Sequence, residues 1–339
     1  MTFSIFRLLA RAALISLLVV GAAHAQTAGT AATPVKLRIG YQKSSTLITI
    51  LKARGSLEQA LAPLGVSISW NEFASGLPLT EALNADAVDF SADVADTVPV
   101  FAQAAHANFV YVAQEAPSPG AQAIIVKRDG PLHTLADLKG RRIAVTKAAG
   151  SHYLLLAALA KAGLAPADAR ISYLTPADGR AAFERGSVDA WVTWDPYVAA
   201  VDKTADVRIL ADGGGLASYQ RYYLASSSFA AAHPEVISTV FAQLSSAGAW
   251  VRSHPEDAAK LLAPIWGLDA ATIERANGRR SYAVRAVDTR NFGEQQKIAD
   301  TFYRAGLLPA PVETATALRW NFTTKRAEAA GAAVTASGG

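Results

Sequence analysis

The sequence predicts an α/β protein of about two domains, on three observations. Short apolar runs with strand character alternate with helix-like runs from Val35 onward. The chain has 339 residues, and one domain typically takes about 150. Beyond the N-terminal segment, no stretch is long and apolar enough to cross a bilayer.

Residues 1–25 have the layout of a secretory signal. Arg7 and Arg11 give a positive start, and Ala12 to Ala23 is apolar except for Ser16. Ala23-His24-Ala25 is a small-x-small cleavage signature with Gln26 as the new N-terminus. The apolar run is shorter than the ~20 residues a membrane span needs. Cysteine is absent, which excludes a disulfide framework, thiolate metal sites and lipid attachment at an N-terminal cysteine. A protein freely soluble outside the cytoplasm is therefore expected. Loss of Arg7 and Arg11 lowers the formal charge from +4 to +2. That is too near neutral to argue for nucleic acid, and no dense Lys/Arg run is present.

Residues 26–34, rich in Ala and Thr, predict a flexible leader. Val35 to Tyr41 alternates like a strand, and the apolar Leu47 to Leu61 predicts a helix. Gly65 to Trp70 follows as a strand, Leu77 to Ala85 as a helix and Val88 to Phe90 as a short strand. Pro99 to Ala105 predicts a helix and Phe109 to Val112 a strand. A second α/β unit starts near Ala121. Its strands are Ile124 to Val126, Arg142 to Thr146, Ile171 to Leu174 and Val188 to Val192. Between them lie a helical turn at Leu135 to Gly140 and an apolar helix from Ser151 to Ala162. Thr175-Pro176-Ala177-Asp178 starts another helix: Thr as N-cap, Pro in the first turn, and a stop at Gly186. This alternation predicts parallel sheets.

Asp212-Gly213-Gly214-Gly215 breaks the pattern. Helices then dominate, over His233 to Ser253, Pro255 to Ala263, Asp269 to Asn277 and Asn291 to Ala305. The last stretch, 326–339, is Ala-, Gly- and Ser-rich and predicts a disordered tail.

Three strand-to-helix junctions are suited to a ligand: Tyr41 to Thr46, Asp93 to Thr97, and Lys147 to His152. In open α/β sheets ligands bind beyond the carboxyl ends of strands. Small and hydroxyl residues at a helix start leave backbone N–H groups free to face an anion. The same residues are also ordinary N-caps. Gly150-Ser151 combines a bare backbone, a hydroxyl and the adjacent Lys147. Trp191-Val192-Thr193-Trp194-Asp195-Pro196 reads as a strand, with Trp191 in the core and Trp194 at the strand's end facing a pocket.

Catalytic machinery is sparse. His24, His106, His133, His152, His233 and His254 stand at no metal-ligand spacing. There is no Gly-x-Ser-x-Gly elbow and no cysteine nucleophile. The pattern favours binding over catalysis, with neither cofactor nor metal.

The chain resembles the aliphatic-sulfonate-binding proteins of ABC importers, within the nitrate/sulfonate/taurine-binding group. The matching pieces include Ile39 to Lys43, Glu81 to Asn84, Phe101 to Ala105, Asp137 to Gly140, Gly150 to His152, Tyr173 to Asp178, and Val188 to Trp191 running into Trp194-Asp195-Pro196. Tyr173 to Asp178 and Trp194-Asp195-Pro196 are the more specific pieces. The resemblance spans about Val35 to Pro311. It implies a type II periplasmic-binding fold, two α/β lobes joined by two crossing strands that close on the ligand. Lobe one is then 35–120 plus 222–320, and lobe two 121–221.

The resemblance also implies a sulfonate held at helix starts, by Gln42, Ser45, Asp96, Thr97, Gly150, Ser151 and His152, with Trp194 and Asp195 from the far wall. Arg221, in the locally distinctive segment Tyr219-Gln220-Arg221, is suited to pair with a second anionic group. Asp93 departs from the family pattern, and facing the cleft it would repel an anion. The implied partners are an alkanesulfonate and a membrane-embedded permease, met by a monomer. Taurine, nitrate, a sulfate ester and a pyrimidine precursor are the alternative ligands. An enzyme on the same fold is the third reading, disfavoured by the export signal and the missing cysteine.

Overall fold

The computed structural model describes residues 34–288 and 292–322. The signal at 1–25, the leader but for Pro34, and the tail at 326–339 lie outside the described residues. The first part of the chain forms β1 (Val35–Gln42), α1 (Thr46–Arg54), α2 (Ser56–Leu61), β2 (Val66–Phe73), α3 (Gly76–Asn84), β3 (Phe90–Ala95), α4 (Thr97–Ala104) and β4 (Phe109–Gln114). The second forms β5 (Gln122–Lys127), β6 (Arg142–Val145), α5 (Gly150–Lys161), β7 (Arg170–Tyr173), α6 (Pro176–Glu184), β8 (Ala190–Trp194), α7 (Tyr197–Thr204) and β9 (Val207–Asp212). Among the described residues, β10 (Arg221–Ser226) and five helices follow: α8 (Ser227–Ala232), α9 (Pro234–Ser253), α10 (Pro255–Trp266), α11 (Ala270–Gly278) and α12 (Phe292–Arg304).

Two five-stranded sheets result, ordered β2-β1-β3-β10-β4 and β7-β6-β8-β5-β9. They are mixed rather than parallel: β10 runs antiparallel to β3 and β4, and β5 antiparallel to β8 and β9. The reason is topological. The chain leaves the first sheet at the carboxyl end of β4 and enters the second at the end where β8 finishes. β10 returns the same way. A strand that enters from the cleft must run against those that end there.

The crossing segments, 115–121 and 213–220, are bonded to each other. The Ser118 N–H donates to the Ser218 carbonyl at 3.1 Å, and the Gly213 N–H to the Pro119 carbonyl at 3.0 Å. This is the type II periplasmic-binding fold, with its paired crossings.

Local chemistry explains most element boundaries. The expected helix at Leu47 to Leu61 is two helices, because Gly55 takes φ +63° and ends α1. Thr175 caps α6, its hydroxyl oxygen accepting the Asp178 N–H at 3.2 Å. β3 runs past the expected Phe90 to Ala95, although it contains Asp93, because buried arginines balance that carboxylate. α7, α8, β9 and β10 had no clear periodic signal in the sequence.

α12 ties the two sheets together. It buries Phe292, Gln295, Ile298, Ala299 and Phe302, at three- and four-residue spacing on one helical face. Phe292 meets Tyr111 of β4 at 5.6 Å between centroids. Phe302 meets Phe101 of α4 at 4.9 Å and His152 of α5 at 5.2 Å. Ile298, Ala299 and Phe302 thus belong to the apolar cluster of the second sheet, although the segment follows β10 of the first. Burying a phenylalanine side chain contributes about 1.5–3 kcal/mol, so α12 is a substantial third link.

Candidate ligand site between the sheets

The carboxyl ends of β1, β3 and β8 face one another across the gap between the sheets. An enclosed cavity lies there, lined by Gln42, Gly76, Ala95, Val98, Ala149, Gly150, Trp194, Tyr219 and Arg221. About 10 Å³ is open to the centre of a water-sized sphere. A larger hollow of about 390 Å³ lies between residues 103–109 and 310–318. That one sits at the carboxyl end of α4, where helix geometry presents carbonyls rather than amides.

The enclosed cavity has the opposite surroundings. α1, α3, α4 and α5 all begin around it, and none has a side-chain hydrogen bond capping its N-terminus. The first N–H groups of a helix have no intrahelical acceptor, and the macrodipole is positive there. α5 is the plainest case. Ala149 stands at its N-cap, and the Ser151 hydroxyl is fully buried without a hydrogen-bond partner. Gly150 permits close approach: a Cβ there would lie 2.4 Å from Tyr219 Cε2 and 3.1 Å from Ala95 Cβ.

The cationic wall comes from Arg221. Its Nη1 donates to Asp93 at 2.7 Å and its Nη2 to the Tyr219 hydroxyl at 2.8 Å, while its Nε has no partner. Asp93 also accepts from Arg280 at 3.0 Å, and Arg280 donates to both oxygens of Glu115 at 2.8 Å. Asp93 therefore faces two guanidinium groups, and the repulsion expected of it is compensated.

The gap is bridged directly. The Thr97 hydroxyl donates to the Ala148 carbonyl at 2.6 Å, and Trp194 Nε1 donates to the Ser44 hydroxyl at 3.2 Å. Arg279 grips both oxygens of Asp195 at 2.9 Å. Two further ion pairs join α7 to α11, Arg275–Asp202 at 3.0 Å and Lys203–Asp269 at 2.9 Å.

Known proteins share this architecture. The family model described as NMT1/THI5 like matches residues 64–258. The alkanesulfonate-binding protein SsuA from Xanthomonas axonopodis pv. citri, solved bound to MOPS, is 39% identical with a TM-score of 0.80, over 86% of this chain and 100% of that one. The periplasmic aliphatic sulphonate binding protein SsuA from Escherichia coli is 41% identical with a TM-score of 0.77, over 85% and 93% of the two chains. The chain belongs to the aliphatic-sulfonate-binding proteins of the NMT1/THI5-like family. A taurine-binding periplasmic protein of Escherichia coli (strain K12) is a more distant relative, 28% identical over 68% of this chain and 73% of its own length. All three of these relatives are binding proteins.

Among the residues that the sequence singles out for sulfonate binding, Gln42, Gly150, Trp194 and Arg221 stand on the cavity wall. Ser151 lies directly behind it, next to Gly150 in α5. The other five surround the wall. The Ser45 hydroxyl accepts the Gln42 N–H at 3.3 Å. Asp96 accepts the Gln220 N–H at 2.8 Å, and Thr97 and Asp195 make the bridging contacts given above. His152 Nδ1 accepts the Ala148 N–H at 3.3 Å. Burial, with Lys147 nearby, pulls the His152 ring down to about 4, so it is neutral near pH 7 and brings no positive charge.

Sequence reasoning did not reach Gly76 and Val98, and it included Ala95 and Ala149 only as members of the junctions 93–97 and 147–152, because small and apolar side chains carry no chemical signature of their own. Tyr219, two residues before Arg221, was not singled out on its own either. Among the described residues, no helix is long and apolar enough to cross a membrane, and no cluster of metal-ligating side chains exists.

Asp96 gives the site a pH dependence. Burial pushes its carboxyl from the ordinary 3.8 up to about 7, outweighing the Gln220 amide that favours the charged form. Between those values the folded protein holds a proton that the unfolded chain has released. The stability from this group is therefore full below 3.8 and lost as pH rises through about 7. His152 acts oppositely, its contribution present above 6.5 and lost as pH falls toward about 4. Burial also raises the Asp195 carboxyl, to about 6, so its contribution falls in the same direction. Asp96→Asn is therefore expected to lessen, not abolish, the fall in Tm from pH 6.5 to about 8. Thermal unfolding across that range checks this, and an unaltered slope refutes it.

Proposed function

We propose that this protein captures an aliphatic sulfonate in the periplasm and delivers it to a membrane-embedded ABC permease. It acts as a monomeric binding protein rather than an enzyme. The observation that carries the reading is the convergence of four uncapped helix starts and Arg221 on one enclosed cavity. A sulfonate spreads one negative charge over three acceptor oxygens and does not titrate near neutrality. Backbone N–H groups, the Ser151 hydroxyl and the spare Arg221 Nε–H match those acceptors. Trp194 and Tyr219 supply an aromatic wall for the first carbons of the tail.

Gln42, Gly150, Ser151, Trp194 and Arg221 touch the anion on this reading. Ser45, Asp96, Thr97, His152 and Asp195 hold the parts that do. The enclosed space is too small for an organic sulfonate, so the two sheets, each the centre of a lobe, swing apart at segments 115–121 and 213–220 to admit it, with α12 as the third connection whose contacts must yield.

Calorimetric titration of the chain from Gln26 onward with alkanesulfonates tests the proposal. Saturable binding is expected, with nitrate, sulfate esters and pyrimidine precursors as weak competitors. Tight binding of any of those three with none of a sulfonate would overturn it. Ser151→Ala is expected to weaken sulfonate binding by about 1–2 kcal/mol, the net value of one hydrogen bond to a charged group. An unchanged Kd would remove Ser151 from the anion site.

A further inference from the structure

We propose that the groove at the mouth of the cleft is a second subsite, in which Lys147 selects the far end of the ligand. A tail that ends in an anionic group is favoured there and one that ends in an ammonium is rejected. This rests on the sulfonate reading of the inner cavity.

The groove is about 190 Å³, against about 10 Å³ in the inner cavity. One wall, Ala74 to Pro78, leads from β2 of the first sheet into α3. The other comes from the second sheet, Thr146-Lys147 beside Tyr173 to Thr175. On both walls the chain passes straight into the inner cavity, from Ser75 to Gly76 and from Lys147 to Ala149. A ligand anchored by its anion at Gly150 and too long for the inner space therefore emerges between these walls.

The polar groups of the groove are unevenly committed. The Thr146 hydroxyl donates to the Leu174 carbonyl at 2.8 Å, and the Thr175 hydroxyl to Asp178 at 2.8 Å. Lys147 is exposed and makes no hydrogen bond or ion pair among the described residues. Its Nζ stands 6.0 Å from the centroid of the half-exposed Tyr173 ring, on the groove. No Asp or Glu lines the groove. Glu81 shares the adjoining hollow with Lys147, but no ion pair joins them. Among the described residues, Lys147 is thus the one charged group lining the groove, over an apolar floor, while the Asp178 carboxylate behind Thr175 is held by that hydroxyl.

Three sulfonates with two-carbon skeletons isolate the effect: sulfoacetate, 2-hydroxyethanesulfonate and 2-aminoethanesulfonate. Titration calorimetry at low salt is expected to rank them in that order, with about tenfold between the first and the last, the size of two exposed charge contacts of opposite sign. Lys147→Glu is expected to reverse the outer two and leave the hydroxyl compound within about twofold of its original Kd. The same ranking in Lys147→Glu as in the parent would overturn the subsite while leaving the sulfonate reading intact. Failure of the unmodified protein to bind any of the three would overturn both.

Discussion

Arg280→Met is expected to destabilise the folded protein by about 3–5 kcal/mol, the cost of leaving buried charge without its partner. Arg280 follows α11 and its side chain is buried against the first sheet, 3% exposed. It donates to Asp93 of β3 at 3.0 Å and to both Glu115 oxygens at 2.8 Å, and both acids are essentially inaccessible to water. Without it, Asp93 keeps only Arg221, and Glu115 keeps the Tyr223 hydroxyl at 2.7 Å. Methionine fills most of the volume, so packing loss contributes little and the charge imbalance is what is measured. Urea unfolding reads the effect directly. Glu115→Gln added to Arg280→Met is expected to restore part of the loss, because the orphaned charge is then gone. A loss below about 1 kcal/mol, or no recovery in the double variant, would mean that water reaches these carboxylates.

Gly150→Ala is expected to weaken ligand binding by about ten- to a hundredfold. The added Cβ would meet the Tyr219 ring at 2.4 and 2.6 Å and the Ala95 methyl at 3.1 Å. The ring cannot easily move. Tyr219 is buried, its hydroxyl accepts from Arg221, and its backbone already sits at φ +51°. Overpacking of this kind costs about 1–3 kcal/mol. Here it falls on the closed arrangement, in which α5 of the second sheet touches Ala95 of the first. The separated lobes escape it, so Tm without ligand should change little while Kd rises. Ligand titration beside thermal unfolding distinguishes this from general damage: an equal loss in both would mean that Gly150 matters for folding rather than closure.

Backbone chemistry made much of the architecture legible in sequence. Thr175-Pro176 announced α6 because the N-cap hydroxyl and the first-turn proline act within four residues. Gly150-Ser151 announced the start of α5 for the same local reason. Gly55 could have warned that one long helix was two, since glycine is the residue that takes φ +63° freely.

The ion pairs were out of reach. Asp93 and Arg280 are 187 positions apart, and Arg279 is 84 from Asp195. In sequence each looks like an ordinary solvated charge. Asp93 accordingly read as a repulsive carboxylate, whereas the fold sets two arginines against it.

The sequence by itself determined the alternation of strands and helices, the junctions at which α1, α4 and α5 begin, and the Gly150-Ser151 start, because each follows from side-chain period, caps and backbone freedom over a few residues. Tertiary structure alone decided that the sheets are mixed, that Gly76 and Tyr219 complete the cavity, and that buried charge is balanced by residues remote in the chain. Those outcomes depend on where the crossings return the chain and on which charges lose water together, and neither is a property of any local stretch.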